Sequence, residues 1–232
     1  MNWMFAARLE PSWRPGKPRD RWTFRALVFC LVLSLAGCSP VYYGTLERFG
    51  VEKRDILQSR IEEGRDAQGD AKEQFRSALE AFQEETGFQG GDLEAVYDRL
   101  KGELERCEAR AAEVRDDIRS IDEVAADLFT EWEREAQQYT SADLRRKAER
   151  MLDDTKKRYE ELISAMRRAE HSMDPVLAGF RDQVLFLKHN LNARAIASLQ
   201  NDLVAIESDV AVLIREMERA ISEADAFIAS LE

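Results

Sequence analysis

LEAVYDRLKGELERCEARAAEVRDDIRSIDEVAADLFTEW, residues 93–132, decides the architecture of this chain. Apolar or small residues recur at Leu93, Tyr97, Leu100, Leu104, Cys107, Ala111, Val114, Ile118, Ile121, Ala125, Leu128 and Trp132. The steps alternate between four and three without a fault, the spacing that puts every one of them on a single stripe of a long packed helix. The residues between them are mostly charged and belong on the solvent side.

The same count extends in both directions. Downstream, Leu199, Leu203, Ile206, Val210, Leu213, Met217, Ala220, Ala224, Phe227 and Leu231 carry a seam to the end of the chain. Between these two, Leu144, Ala148, Met151, Tyr159, Leu162, Met166 and Ala169 carry another. Upstream, Leu57 and Ile61 begin a seam that Phe75, Ala78 and Phe82 complete, with Gly64, Gln68 and Gly69 between them. Each helical glycine costs about 1 kcal/mol relative to alanine, so this stretch holds either a close approach of two helices, a kink or a weak point.

The joints agree with the seams. GFQGGD (87–92) supplies glycines to end one helix and Asp92 to cap the next. Thr140 and Ser141 stand ready to cap the third helix, with Asp143 in its first turn. Asp174-Pro175 reads as a cap followed by proline at a first helical position, and so predicts a helix boundary there. Short joints force neighbouring helices to run antiparallel. The predicted fold is all-α: an elongated antiparallel coiled-coil bundle of about four long helices over residues 44–232, with an open, oligomeric coiled coil as the structural alternative.

The start of the chain has another character. Residues 1–37 hold six basic and two acidic side chains, so a leader of +4 precedes a body of −15, given the net charge of −11. A body this acidic repels nucleic-acid phosphates, which argues against nucleic acid as a partner. After Arg25 comes ALVFCLVLSLAG, too short an apolar run for a membrane span of about 20 residues. Leu35-Ala36-Gly37-Cys38 follows directly and resembles the bacterial lipobox. The resemblance implies a lipoprotein signal peptide over residues 1–37, cleavage before Cys38, acylation of Cys38, and a lipidated tether over residues 38–43. Several acyl chains hold a protein to a bilayer far more firmly than one. In a Gram-negative envelope, Ser39 after the lipidated cysteine implies sorting to the outer membrane, with the body facing the periplasm. Cys30 falls in the leader and Cys38 carries lipid, which leaves Cys107 alone with no disulfide to form.

Machinery for chemistry is hard to find. Cys107 occupies a seam position, where a cysteine packs as a small apolar group. No calcium-loop spacing and no metal-ligand cluster occurs, so neither a metal nor a cofactor is expected. The only histidines are His171 and His189, which leaves few agents for general acid–base work, and no catalytic residue is assigned. A dense basic set on the third helix (Arg145, Arg146, Lys147, Arg150, Lys156, Lys157, Arg158, Arg167, Arg168) suits either anionic lipid headgroups or acidic neighbours within the protein. Residues 92–136 offer fifteen acidic side chains against seven basic ones, so intramolecular pairing is the expectation.

VLFLKHNLNARA (184–195) is the one irregular stretch. Its apolar residues cover nearly all sides, and 187, 191, 195, 199 and 203 are successive steps of four. That break in the heptad count predicts a locally unwound supercoil within a single helix. Phe186, His189, Asn190 and Asn192 are the predicted partner or register feature, the asparagines acting as buried hydrogen-bonding groups and His189 as their companion.

LFLKHNLNARAIASL (185–199), together with KRDIL (53–57), RDAQ (65–68), FQGGDLEAVYD (88–98) and MRRAE (166–170), resembles a family of bacterial proteins catalogued only as a domain of unknown function. The resemblance implies a helical body and an envelope location over most of residues 41–231, and no activity. The expected role is that of a lipid-anchored, periplasm-facing structural or interaction protein. Its partners would be the membrane through Cys38 and another envelope protein, with a homo-oligomer also open. The alternative is a module that holds a lipid or apolar ligand in the bundle interior near residues 184–195.

Overall fold

The computed structural model describes residues 53–86, 92–190 and 193–231, all within the unit that runs from Gly50 to Glu232. Four helices account for them: α1 (Lys53–Thr86), α2 (Leu93–Ala136), α3 (Ala142–His189) and α4 (Ala193–Leu231). Residues 1–52, with the leader, Cys38 and the tether, lie outside the described residues, as do 87–91, 191–192 and 232.

Each helix packs on the next in sequence, and α1 packs on α4, so the four close into an antiparallel bundle. With 44 and 48 residues, α2 and α3 run for about 65–70 Å at 1.5 Å per residue. Chain direction therefore defines two ends. At the entry end lie the start of α1, the turn between α2 and α3, and the finish of α4. At the far end lie the α1–α2 and α3–α4 connections.

Seam positions fill the core. In α1 the buried residues Leu57, Ile61, Gly64, Gln68, Ala71, Phe75, Ala78 and Phe82 continue the alternation of four and three, with glycine and glutamine taking two of its places. A Cβ on Gly64 would stand 2.8 Å from Ile121 Cδ1 and 3.0 Å from Met166 Cε, so that glycine marks a close approach of helices. Gly69 faces open space, and α1 runs through both glycines as one helix. Gly179 plays the same part between α3 and α4, where an added Cβ would meet Ile206 Cγ1 at 2.9 Å. Aromatic rings anchor each half. Phe82 and Phe180 stack with centroids 4.5 Å apart, and Tyr159 meets Phe129 edge-on at 5.4 Å and Phe227 at 6.3 Å.

Caps close the helices as their side chains dictate. Asp92 accepts from the backbone N–H groups of Glu94 and Ala95 at 3.0 and 3.3 Å. Ser141, rather than Thr140, caps α3 by accepting from Leu144 N at 3.4 Å.

Three expectations are corrected. First, no boundary falls at Asp174-Pro175; α3 passes straight through Pro175. The ring lies on the solvent side while Met173, Val176, Leu177 and Phe180 stay buried. The missing N–H deprives the His171 carbonyl of its helical partner, a cost that packing of the continuous seam outweighs. Second, the phase break near residue 190 is a helix end and not an unwound stretch of one helix. Third, Leu144 and Met151 sit on the α3 seam as expected, yet they are 50% and 62% exposed. Tyr159 lies level with Phe227, and α4 finishes one turn later at Leu231. Among the described residues, the first three turns of α3 therefore have no part of α4 opposite them.

Candidate functional site

The stretch 184–195 forms the α3–α4 corner at the far end of the bundle. Val184 and Leu187 point into the core, while Leu185 and Phe186 are 51% and 41% exposed. Lys188 and His189 make the exposed last turn of α3, where positive charge complements the helix C-terminus. Asn190 ends the helix at φ −136°, ψ 61°. Its backbone N–H donates to Leu187 O at 3.1 Å and its Nδ2 donates to Phe186 O at 3.0 Å. The hydrogen bonds of Asn190 thus go to carbonyls orphaned at the helix end, not to a neighbouring helix. Buried register control by Asn190 is corrected accordingly, and Asn192 lies outside the described residues. Phe186 and His189 share the corner, with Phe186 offering apolar surface and His189 lying exposed beside it.

A buried polar group does occupy the seam, and reading for apolar residues passes over it. Gln68 is fully buried; its Nε2 donates to Met166 O at 3.5 Å and its Oε1 has no partner among the described residues. The regular spacing of the α1 seam is the signal that would have placed it inside. A single polar side chain in a heptad seam fixes the register of its neighbours at some cost in stability.

Cys107 is fully buried, with Sγ facing Gln74 O at 3.8 Å. Burial pushes its thiol up to about 12, so it stays protonated and unreactive at neutral pH. Tyr159 is also raised, first by burial and then by the hydrogen bond it donates to Asp122 Oδ1 at 2.6 Å. Arg167 holds the other oxygen of that carboxylate.

Much of the basic charge on α3 is absorbed within the bundle. Lys156 pairs with Glu133, Arg167 with Asp122, Arg168 with Glu216 at 3.6 Å and Arg146 with Asp143, and Arg145 donates to the Tyr139 carbonyl at 2.9 Å. Lys147, Arg150, Lys157 and Arg158 form no ion pair among the described residues. Surface grooves run beside the middle of α3, one of about 500 Å³ lined by Glu160, Ile163, Ser164, Arg167, Arg168 and His171. These grooves lie outside the seam and are walled by charged side chains. Among the described residues, no group of three His, Cys, Asp or Glu is placed to hold a metal ion, and no helix is long and apolar enough to cross a membrane.

A family model described as "Protein of unknown function (DUF2959)" matches residues 42–231. No curated protein and no solved structure matches the chain.

Proposed function

The chain belongs to that family, whose description assigns no activity, and from this premise we propose that it is a lipid-anchored envelope protein with a structural or interaction role. Cys38 is the acylated residue in this reading, the outer membrane is its location, and the bundle reaches into the periplasm to meet another envelope protein. The observation that carries the proposal is the placement of Leu35-Ala36-Gly37-Cys38 at the end of a short apolar run, upstream of the bundle. Topology supports it further. The α3–α4 corner, with Leu185 and Phe186 exposed, lies at the opposite end of the bundle from the start of α1.

A Cys38→Ala variant tests the anchor. The native chain should float with outer membranes in a density gradient and the variant should not; flotation of the variant refutes the anchor. Photocrosslinkers at Leu185 and Phe186 test the interaction role, with a discrete crosslinked partner as the expected product. The reading of a ligand held inside the bundle draws on the exposed Leu185 and Phe186 alone. Inside that end, Phe82 and Phe180 stack and Val184 and Leu187 are buried.

A further inference from the structure

The entry end combines features that occur together nowhere else among the described residues. Tyr139, Leu144 and Met151, three of the large exposed hydrophobic side chains, lie within 13 residues at the α2–α3 turn and the first turns of α3. Around them, residues 144–158 hold seven basic and three acidic side chains, a surplus of four in a chain whose net charge is −11. Leu144, Lys147, Met151 and Arg158 recur at intervals of three, four and seven and so share one helix face, with Arg150 and Lys157 at its edge. None of these four cations forms an ion pair among the described residues, whereas Arg146 and Lys156 of the same turns do.

Chain length keeps this end within reach of a tethering membrane. Lys53, at the start of α1, pairs with Glu131 at 2.7 Å, so the α2–α3 turn projects beyond the start of α1 by about 10 Å. Between Cys38 and Lys53 stand fourteen residues, which span at most about 50 Å. An anchored bundle therefore cannot carry its entry end far from the lipid surface.

We propose that this end is a docking surface for a bilayer bearing anionic headgroups. Leu144 and Met151 insert at the interface, Tyr139 lies at headgroup level, and Lys147, Arg150, Lys157 and Arg158 pair with lipid phosphates. An apolar patch flanked by unpaired cations matches that surface and not an acidic protein face, which would leave Leu144 and Met151 without apolar partners. The proposal rests on the lipid anchor at Cys38.

The test uses the full acylated chain reconstituted into phosphatidylcholine vesicles with or without about one-third phosphatidylglycerol. An environment-sensitive fluorophore is placed on Met151→Cys and, as the far-end control, on Phe186→Cys; the buried Cys107 does not compete for label. The expected result is a blue shift at Met151, with quenching by lipid-borne quenchers, in anionic vesicles only, and a fluorophore in water at Phe186. Lys147→Glu with Arg150→Glu should lower the docked population about tenfold or more while flotation persists. Failure of the protein to float overturns the anchor, and the docking with it. Flotation with the Met151 fluorophore in water overturns the docking alone. A Met151 fluorophore shielded without vesicles also overturns it, whether the cover is a second copy, when shielding follows protein concentration, or another part of the chain, when it does not.

Discussion

Single side chains in this bundle do work that composition alone does not reveal. Gln68 occupies a seam place where leucine would pack more favourably, and one of its polar atoms is buried without a partner among the described residues. Gln68→Met, similar in volume and without that atom, should raise stability by about 1 kcal/mol, read as a higher midpoint in urea unfolding. An unchanged or lower midpoint would mean that the glutamine is satisfied in solution. Cys107 makes a pH prediction. Its thiol titrates near 9 when unfolded and near 12 when folded, so the native state holds a proton that the unfolded state releases between those values. Stability contributed by this group is complete below pH 9 and falls by about 1.4 kcal/mol per unit above it. Cys107→Ala should remove that share of the alkaline loss, measured by denaturant unfolding at several pH values for both proteins. Here the residue type was readable because cysteine on a seam is apolar packing, whereas Gln68 and Gly64 read as interruptions. Only the regular count through them shows that they are inside.

At the scale of elements, the seams made α2 and most of α4 readable, while the joints were read unevenly. Asp92 and Ser141 cap as their side chains predict. Pro175 does not end α3, because a local preference of about 3 kcal/mol competes with the burial of Met173, Val176, Leu177 and Phe180 on the same turns. Pro175→Ala should therefore stabilise the protein by about 2 kcal/mol, the restored helix propensity less the lost restriction of the unfolded chain, with a corresponding rise in Tm. A fall in Tm would show that the proline shapes α3 for its neighbours. The real end of α3 carries no glycine or proline. Asn190 terminates it outside the left-handed region, at φ −136°, with its own side chain satisfying a carbonyl. Apolarity on both sides of that point concealed a corner inside what reads as one run. The irregularity of the stretch thus marked a helix end, where an unwound segment of one helix was expected.

For the whole bundle, sequence periodicity fixes which face of each helix is apolar but not how far each partner extends. Leu144 and Met151 have the right spacing for a core and no covering helix among the described residues, where α4 lies opposite the next turns of α3. Exposure there follows from which segments lie opposite one another, a property no single helix encodes. The ring of four also contains contacts of two kinds. Those between consecutive helices close shorter loops, such as Arg167 with Asp122, 45 residues apart, while α1 and α4 meet through pairs such as Arg65 with Asp225, 160 residues apart at 3.0 Å. Closing a longer loop costs more entropy, so two helical hairpins should assemble first and the α1–α4 seam last. Viewed in time, the bundle is a clasp. Native-state hydrogen exchange should find the amides of α1 and α4 opening at lower free energy than those in the middle of α2 and α3. Uniform protection across all four helices would mean that the clasp and its hairpins come apart in a single step.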